Sequence, residues 1–413
     1  MEALGSARNS RADEAAFLRS LSPTNRNDRM VNVARSGTST DDIAGAKNTV
    51  RFLDADGRFA PTAPAERFAA ELDRITESDK LEFYRDMAVV RRFDIEAGHL
   101  QRQGQLGLWV PSQGQEAAQV GSGRAARAQD TIFPSYREHA VARIRGVDLL
   151  DVLRLLRGVT HGGWNPAEVG NFRLYTLVIG SQTLHATGYA MGIRLDGAPT
   201  GDVSRDEAVV VYFGDGATSQ GDTNEAMIWA TSYQAPQVFF LQNNHWAISV
   251  PVTRQSRTPL VDRAAGFGMP AVQIDGNDVL ASYAVTRTLL DDARGGAGPA
   301  FIEAMTYRIG AHTTSDDPTR YRGGDELALW ESRDPITRYR KYLEGEGVGS
   351  EFFADVDTEA ADFAADIRRR VLALPQPPAG LMFDHVYSEE HPVPDSQKEW
   401  LAAYEAGFEE VGS

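Results

Sequence analysis

Residues 208–217, Ala208-Val209-Val210-Val211-Tyr212-Phe213-Gly214-Asp215-Gly216-Ala217, run from a nearly continuous β-branched and aromatic stretch straight into a glycine-flanked aspartate. Such a run reads as a strand covered on both faces, because a half-exposed strand would alternate apolar with polar positions. A helix-compatible segment, Asp222 to Tyr233, follows, and then a second buried run, Val238-Phe239-Phe240-Leu241, ends in Gln242-Asn243-Asn244-His245-Trp246. A strand, a helix and a parallel strand form a right-handed crossover, so the loops after both strands leave the same sheet edge. Open α/β sheets bind ligands at that edge. Asp215 and Asn244, 29 positions apart in sequence (244 − 215), are therefore expected to become spatial neighbours.

The same alternation continues outward. Ala300 to Met305 is a third apolar run, preceded by the turn Asp275-Gly276-Asn277-Asp278 and a helix candidate from Val279 to Arg294. Upstream, Leu81 to Gln101 places Phe83, Met87 and Val90 at helical spacing. The fold class expected is α/β, a doubly wound, mostly parallel sheet flanked by helices. Residues 1–50, rich in Ser, Arg, Asn, Asp and Gly, read as a disordered extension. Residues 51–413 read as one domain with a short C-terminal closing segment beyond Pro375-Gln376-Pro377-Pro378.

Composition narrows the chemistry. The 413 residues carry 42 Lys and Arg against 58 Asp and Glu, a net charge of −16, which argues against a nucleic-acid surface. There is no cysteine, so disulfides, thiolate nucleophiles and Cys-ligated metals are excluded. No apolar stretch is long enough to cross a bilayer and the N-terminus lacks a secretory apolar core, so a cytoplasmic location is expected, with no membrane or nucleic-acid partner.

One carboxylate and one amide oxygen make a poor cage for a metal by themselves, but they suit Mg2+, which keeps water and phosphate oxygens in its octahedral shell. A diphosphate would supply the missing ligands. The glycines beside Asp215 let backbone approach it, and the helix that follows directs N–H groups toward it, with Gly216 and Ala217 closest. A lone Gly-Asp-Gly is usually only a turn. The Asn-Asn after the next strand is what raises it above that reading.

Gly-Asp-Gly followed after about thirty residues by Asn-Asn resembles the thiamine diphosphate motif, and Gly214 to Val250 is similar to that segment in alpha subunits of 2-oxo acid dehydrogenases. The resemblance runs from about Arg51 to the C-terminal region. It implies that Asp215 and Asn244 hold Mg2+ through their side chains and Trp246 through its carbonyl. It further implies that Tyr136 and Arg137 of Phe133-Pro134-Ser135-Tyr136-Arg137-Glu138 meet the diphosphate, the arginine as a planar fork. Leu177 and Ile179, in Leu177-Val178-Ile179-Gly180-Ser181-Gln182, are expected to support the cofactor rings. His312, in the loop Tyr307 to Arg322, is expected to reach the reacting end of the cofactor, with a side chain that titrates near neutrality.

Leu108, Trp109 and Val110 align with the segment that lines the acyl pocket. Animal pyruvate enzymes place a histidine where Val110 falls, which favours branched-chain 2-oxo acids such as 2-oxoisovalerate over pyruvate. Thr313 stands where animal homologues carry a phosphorylatable serine, so kinase control of that kind is not implied. The glutamate that thiamine enzymes set against the aminopyrimidine comes, in this family, from a separate beta chain. The resemblance therefore implies an α2β2 heterotetramer that decarboxylates a 2-oxo acid and passes the acyl group to the lipoyl group of an acyltransferase partner. An acetoin dehydrogenase alpha subunit shares these motifs, and a noncatalytic protein that keeps the fold is the other alternative. A dinucleotide-binding oxidoreductase is disfavoured because Gly214-Asp215-Gly216 is followed by Gly221, at the wrong spacing.

Overall fold

The apolar runs fold as strands buried on both faces. The computed structural model describes residues 48–160, 163–384 and 386–409. In chain order the strands are β1 (Thr131–Phe133), β2 (Val209–Gly214), β3 (Gln237–Asn243), a short hairpin of β4 (Trp246–Ala247) and β5 (Val250–Pro251), then β6 (Ala271–Asp275) and β7 (Ala300–Met305). Five of them form one sheet in the order β1-β2-β3-β7-β6, and every pairing is parallel.

The helices that build the two outer layers are α1 (Glu77–Arg102), α2 (Glu116–Ala125), α3 (Ser181–Leu195), α4 (Gly221–Tyr233), α5 (Val279–Asp292) and α6 (Ser350–Leu372). Side chains along a strand point alternately to opposite faces. On one face Val209, Val211, Phe213, Phe239, Leu241 and Phe301 pack with Ala186 and Ala190 of α3 and Ala226, Met227 and Ala230 of α4. On the other, Val210, Tyr212, Val238, Phe240 and Ile302 pack with residues of α1, α2, α5 and α6, among them Met87, Val120, Leu280 and Val356. The β2-to-β3 crossover helix α4 thus covers one face and the β6-to-β7 crossover helix α5 the other. The chain moves across the sheet in opposite directions from β2 to β3 and from β6 to β7, which requires this if both crossovers are right-handed. The doubly wound architecture expected from sequence is the one observed.

Two strands lacked a clear sequence signature. β1 has three residues, and β6 is only half-buried along most of its length, so neither presents a long apolar run. Helix α1 begins four residues before the apolar periodicity does, because Thr76 and Asp79 form a reciprocal capping box. The Thr76 hydroxyl accepts the Asp79 N–H at 3.1 Å, and the Asp79 carboxylate accepts the Thr76 N–H at 3.0 Å.

The extension expected over 1–50 falls on residues 1–47, outside the described residues, and on three more that belong to the fold. Thr49 and Val50 are buried, and Val50 bridges Ile274 at the edge of β6. Asp278 secures this entry. One carboxylate oxygen accepts the N–H groups of Phe52 and Leu53, each at 2.7 Å, while the other caps α5 through Leu280 and Ala281 at 3.0 and 3.2 Å. The family-like region expected from Arg51 onward is thereby tied to the far side of the sheet.

Removing Asp278 strips a helix cap and leaves two buried N–H groups without acceptors. Asp278→Ala is expected to lower unfolding free energy by roughly 3 kcal/mol or more. Urea denaturation measures this, and a loss below 1 kcal/mol would contradict the anchoring role.

Candidate active site

Four neighbouring strands deliver their C-terminal loops to one cleft of about 240 Å³. Ser135, Tyr136 and Arg137 follow β1, and Gly214 to Ala217 follow β2. Asn244 and Trp246 follow β3, and Arg308 and His312 follow β7; all of these line the cleft. Parallel strands in register place these loops at the same sheet edge, which is why residues as distant as Tyr136 and His312 share a wall.

Asp215 is buried at the turn after β2. Burial pushes its carboxyl up to about 6, partly offset by the Gln255 amide, which donates to Oδ2 at 2.6 Å. The oxygen of the Asn244 amide lies 3.2 Å from Asp215 Oδ1 and 3.1 Å from the Trp246 carbonyl oxygen, while its NH2 donates to Gln115 Oε1 at 3.3 Å. With its NH2 toward them the amide donates to both neighbours, and with its oxygen toward them the three oxygens can meet a cation. Adjacent ligands of an octahedral Mg2+ stand about 3 Å apart, which the two measured separations match. Among the described residues no three His, Cys, Asp or Glu side chains gather as a metal site, so any cation here depends on this mixed oxygen set.

The cationic side of the cleft is built from two buried arginines. Arg137 donates to the carbonyls of Pro111 and, at 3.1 Å, His312, and its guanidinium lies over the Tyr136 ring. Arg308 donates to the carbonyls of Trp246 and Ile248, both at 2.9 Å, and to the Tyr321 hydroxyl at 3.2 Å. Burial, reinforced by the neighbouring Arg137, pushes the Arg308 guanidinium down to about 10. Both arginines also approach His312 Nδ1, at 3.4 and 3.3 Å, which makes that nitrogen the acceptor and Nε2 the N–H. The expectation that His312 titrates near neutrality is corrected here. Burial and the two guanidiniums push it down to about 3, so the imidazole is neutral throughout the physiological range.

Of the other residues singled out from sequence, Tyr136, Arg137, Ile179, Gly216, Ala217 and Trp246 line the cleft. Leu177 does not; it is 58% exposed, beside the exposed Val178. Leu108, Trp109 and Val110, expected at the acyl pocket, do not line this cleft either. Trp109 is a core residue: its indole N–H donates to Asp94 at 2.6 Å and its ring stacks on His139, with centroids 4.6 Å apart. Val110 is buried and uses its carbonyl to accept from His139 at 2.9 Å. The segment supports Arg137 from behind through Pro111 rather than presenting side chains to the cleft.

Gly216 also has a steric role. A Cβ at this position would meet the Ala247 Cβ at 2.9 Å, so the glycine admits the β4–β5 hairpin, whereas a Cβ on Gly214 would meet nothing. Sequence reading passed over Gln115, Gln242, Gln255 and Arg308. Arg308 had a usable signal, since it follows β7 as Asp215 follows β2. The glutamines had none.

Fold and cleft together describe an open α/β enzyme domain whose strand-end loops pair an oxygen-rich pocket with two buried guanidiniums. Residues 84–370 match the family model described as the dehydrogenase E1 component. Relatives include the 3-methyl-2-oxobutanoate dehydrogenase subunit alpha of Mycobacterium tuberculosis strain H37Rv, 44% identical over 78% of this chain and 86% of that protein. The pyruvate dehydrogenase E1 component subunit alpha of Staphylococcus aureus strain Mu50 is 38% identical over 72% of this chain and 78% of that protein. That of Staphylococcus epidermidis is 38% identical over 73% and 78%. The chain belongs to the dehydrogenase E1 component family.

The buried carboxylate has a measurable consequence. A folded-state pKa near 6 against an unfolded value of 3.8 means that the native state holds the proton more tightly. Its contribution is present below pH 3.8 and is lost as pH rises through 6. At pH 7 without divalent ions the ionised group costs on the order of 3 kcal/mol. Asp215→Asn, whose amide can accept from Gln255 and donate to the Asn244 oxygen, is expected to be more stable than wild type at pH 7 in EDTA, and the advantage should shrink toward pH 4. Equal urea midpoints at both pH values would contradict this.

Proposed function

We propose that the chain is the alpha subunit of a thiamine-diphosphate-dependent 2-oxo acid dehydrogenase, acting on 3-methyl-2-oxobutanoate (2-oxoisovalerate) ahead of pyruvate and transferring the acyl group to lipoamide. The observation that carries the cofactor assignment is the convergence of the Asp215 carboxylate, the Asn244 amide and the Trp246 carbonyl in one cleft with the guanidiniums of Arg137 and Arg308. A magnesium diphosphate complements both halves, the cation meeting the oxygens and the phosphate oxygens meeting the planar forks. Branched-chain preference is supported by the higher identity to the mycobacterial 3-methyl-2-oxobutanoate subunit than to the staphylococcal pyruvate subunits.

When bound, thiamine diphosphate supplies the carbanion chemistry that releases carbon dioxide and makes the acyl group transferable. The protein's contribution is placement and charge. Asp215, Asn244 and the Trp246 carbonyl would hold Mg2+. Arg137 and Arg308 neutralise phosphate charge in a site where burial makes each charge count for more. Tyr136, whose ring meets that of His312 edge-on at 6.3 Å, and Ile179 wall the cleft against water. His312, neutral with its proton on Nε2, donates a hydrogen bond or relays a proton during acyl transfer.

A beta subunit completes the assembly in an α2β2 arrangement, and a lipoyl-bearing acyltransferase receives the product, all in the cytoplasm. Exposed apolar side chains support such burial: Leu177, Val178 and Ile179 before α3 and Ile228, Trp229 and Tyr233 on α4 are exposed on this chain. Among the described residues no helix is long and apolar enough to cross a membrane.

Co-purified with its beta subunit and supplied with thiamine diphosphate and Mg2+, the protein is expected to release carbon dioxide fastest from 2-oxoisovalerate, then from 2-oxo-4-methylpentanoate and pyruvate, and the chain alone from none. Pyruvate ranking far ahead would overturn the preference. Cleavage of acetoin without decarboxylation of any 2-oxo acid would overturn the reaction. His312→Ala is expected to leave cofactor affinity within about threefold of wild type while reducing lipoamide acylation by roughly 100-fold or more. Unchanged acylation would remove His312 from the mechanism.

A further inference from the structure

Asp215 offers two oxygens, and only one faces Asn244. Oδ1 lies 3.2 Å from the Asn244 amide oxygen, whereas Oδ2 accepts the Gln255 amide at 2.6 Å. Gln255 is itself held in place, since its NH2 also donates to the Val250 carbonyl at 3.3 Å. It ends a four-residue helical turn, Val252–Gln255, directly after the β4–β5 hairpin. That hairpin also carries the Trp246 carbonyl, and it lies so close to the turn after β2 that Gly216 admits no side chain. A single structural unit therefore brings one oxygen toward the cation position and holds another away from it.

Carboxylate denticity separates the common hard cations. Mg2+ requires near-ideal octahedral geometry at 2.0–2.1 Å, which a bidentate carboxylate distorts, whereas Ca2+ takes six to eight oxygens at 2.3–2.6 Å and readily accepts both oxygens of one carboxylate. A donor fixed on Oδ2 removes the second oxygen from the coordination shell. Close contact between Ala247 and Gly216 restricts how far the hairpin can shift to make room for a larger ion.

We infer that Gln255 is a metal-selectivity residue: by holding Asp215 Oδ2 it enforces one-oxygen coordination and favours small octahedral cations over Ca2+ in the cofactor-anchoring site. This rests on the proposed binding of a divalent cation with thiamine diphosphate at Asp215, Asn244 and Trp246. Gln255 does not line the cleft and acts through Asp215, so it is a positioning residue. A purely structural role would weaken Mg2+ and Ca2+ support equally and leave their ratio unchanged.

The test is calorimetric titration of thiamine diphosphate into the assembled alpha and beta subunits, in saturating Mg2+ and, separately, in saturating Ca2+, for wild type, Gln255→Met and Gln255→Glu. Met keeps the length and removes the donor. Glu replaces the donor with a further acceptor. Wild type is expected to bind more tightly with Mg2+ than with Ca2+. Both variants are expected to lower that ratio by roughly tenfold, the scale of one hydrogen bond to a charged group. Because the ratio is taken within each protein, a general loss of stability cancels. Wild-type binding that is indifferent to divalent ions would overturn the cation assignment itself. Mg2+-dependent wild-type binding with an unchanged ratio in both variants would overturn the role of Gln255 alone.

Discussion

A carboxylate sealed inside protein with one neutral donor is the constraint around which the cleft is organised. Asp215 sits at the end of a strand buried on both faces, where water cannot solvate its charge, and among the described residues Gln255 alone provides a side-chain hydrogen bond to it. Nearby, Arg137 and Arg308 converge on a neutral imidazole rather than on an acid. The two imbalances have opposite sign and share the Trp246 loop, since Arg308 donates to the same carbonyl that approaches the Asn244 oxygen. Under the proposed function, a cation paired with a polyanion would resolve both together, and charge would be recognised before any ring or acyl chain.

That pattern depends on the sheet being parallel and uninterrupted across β1, β2, β3 and β7. Each strand contributes one loop, and the loops meet because neighbouring strands end at matched heights. The crossover helices α4 and α5 occupy opposite faces, which leaves the C-terminal edge to loops and short helical turns. Catalytic geometry and fold topology are in this sense one property. An inserted residue in β2 would turn Val209, Val211 and Phe213 to the wrong face and displace Asp215 with them.

Much of this was legible from residues alone. The buried strands announced themselves as unbroken apolar runs, and glycine beside aspartate at a strand end marked where polarity had to serve something other than packing. Arg137 and His312, singled out by the family resemblance rather than by the residues themselves, both line the cleft. What escaped notice was set by tertiary context. Trp109 and Val110 look the same in sequence whether they line a pocket or fill the core, and only the partnership with Asp94 and His139 decides it. Gln255 sits in a short polar turn with no periodicity, so nothing in its neighbourhood signals that it meets Asp215. The depressed basicity of His312 likewise comes from burial reinforced by two arginines, one of them 175 positions away.

The exposed aliphatic run Leu177-Val178-Ile179 is a matter of supply as well as of shape. Ile179 lines the polar cleft, and with its two neighbours it forms an apolar patch that water wets unfavourably. Under the proposed pairing with a beta subunit, burial of that patch would make balanced synthesis of the two chains a condition of solubility and not merely of catalysis.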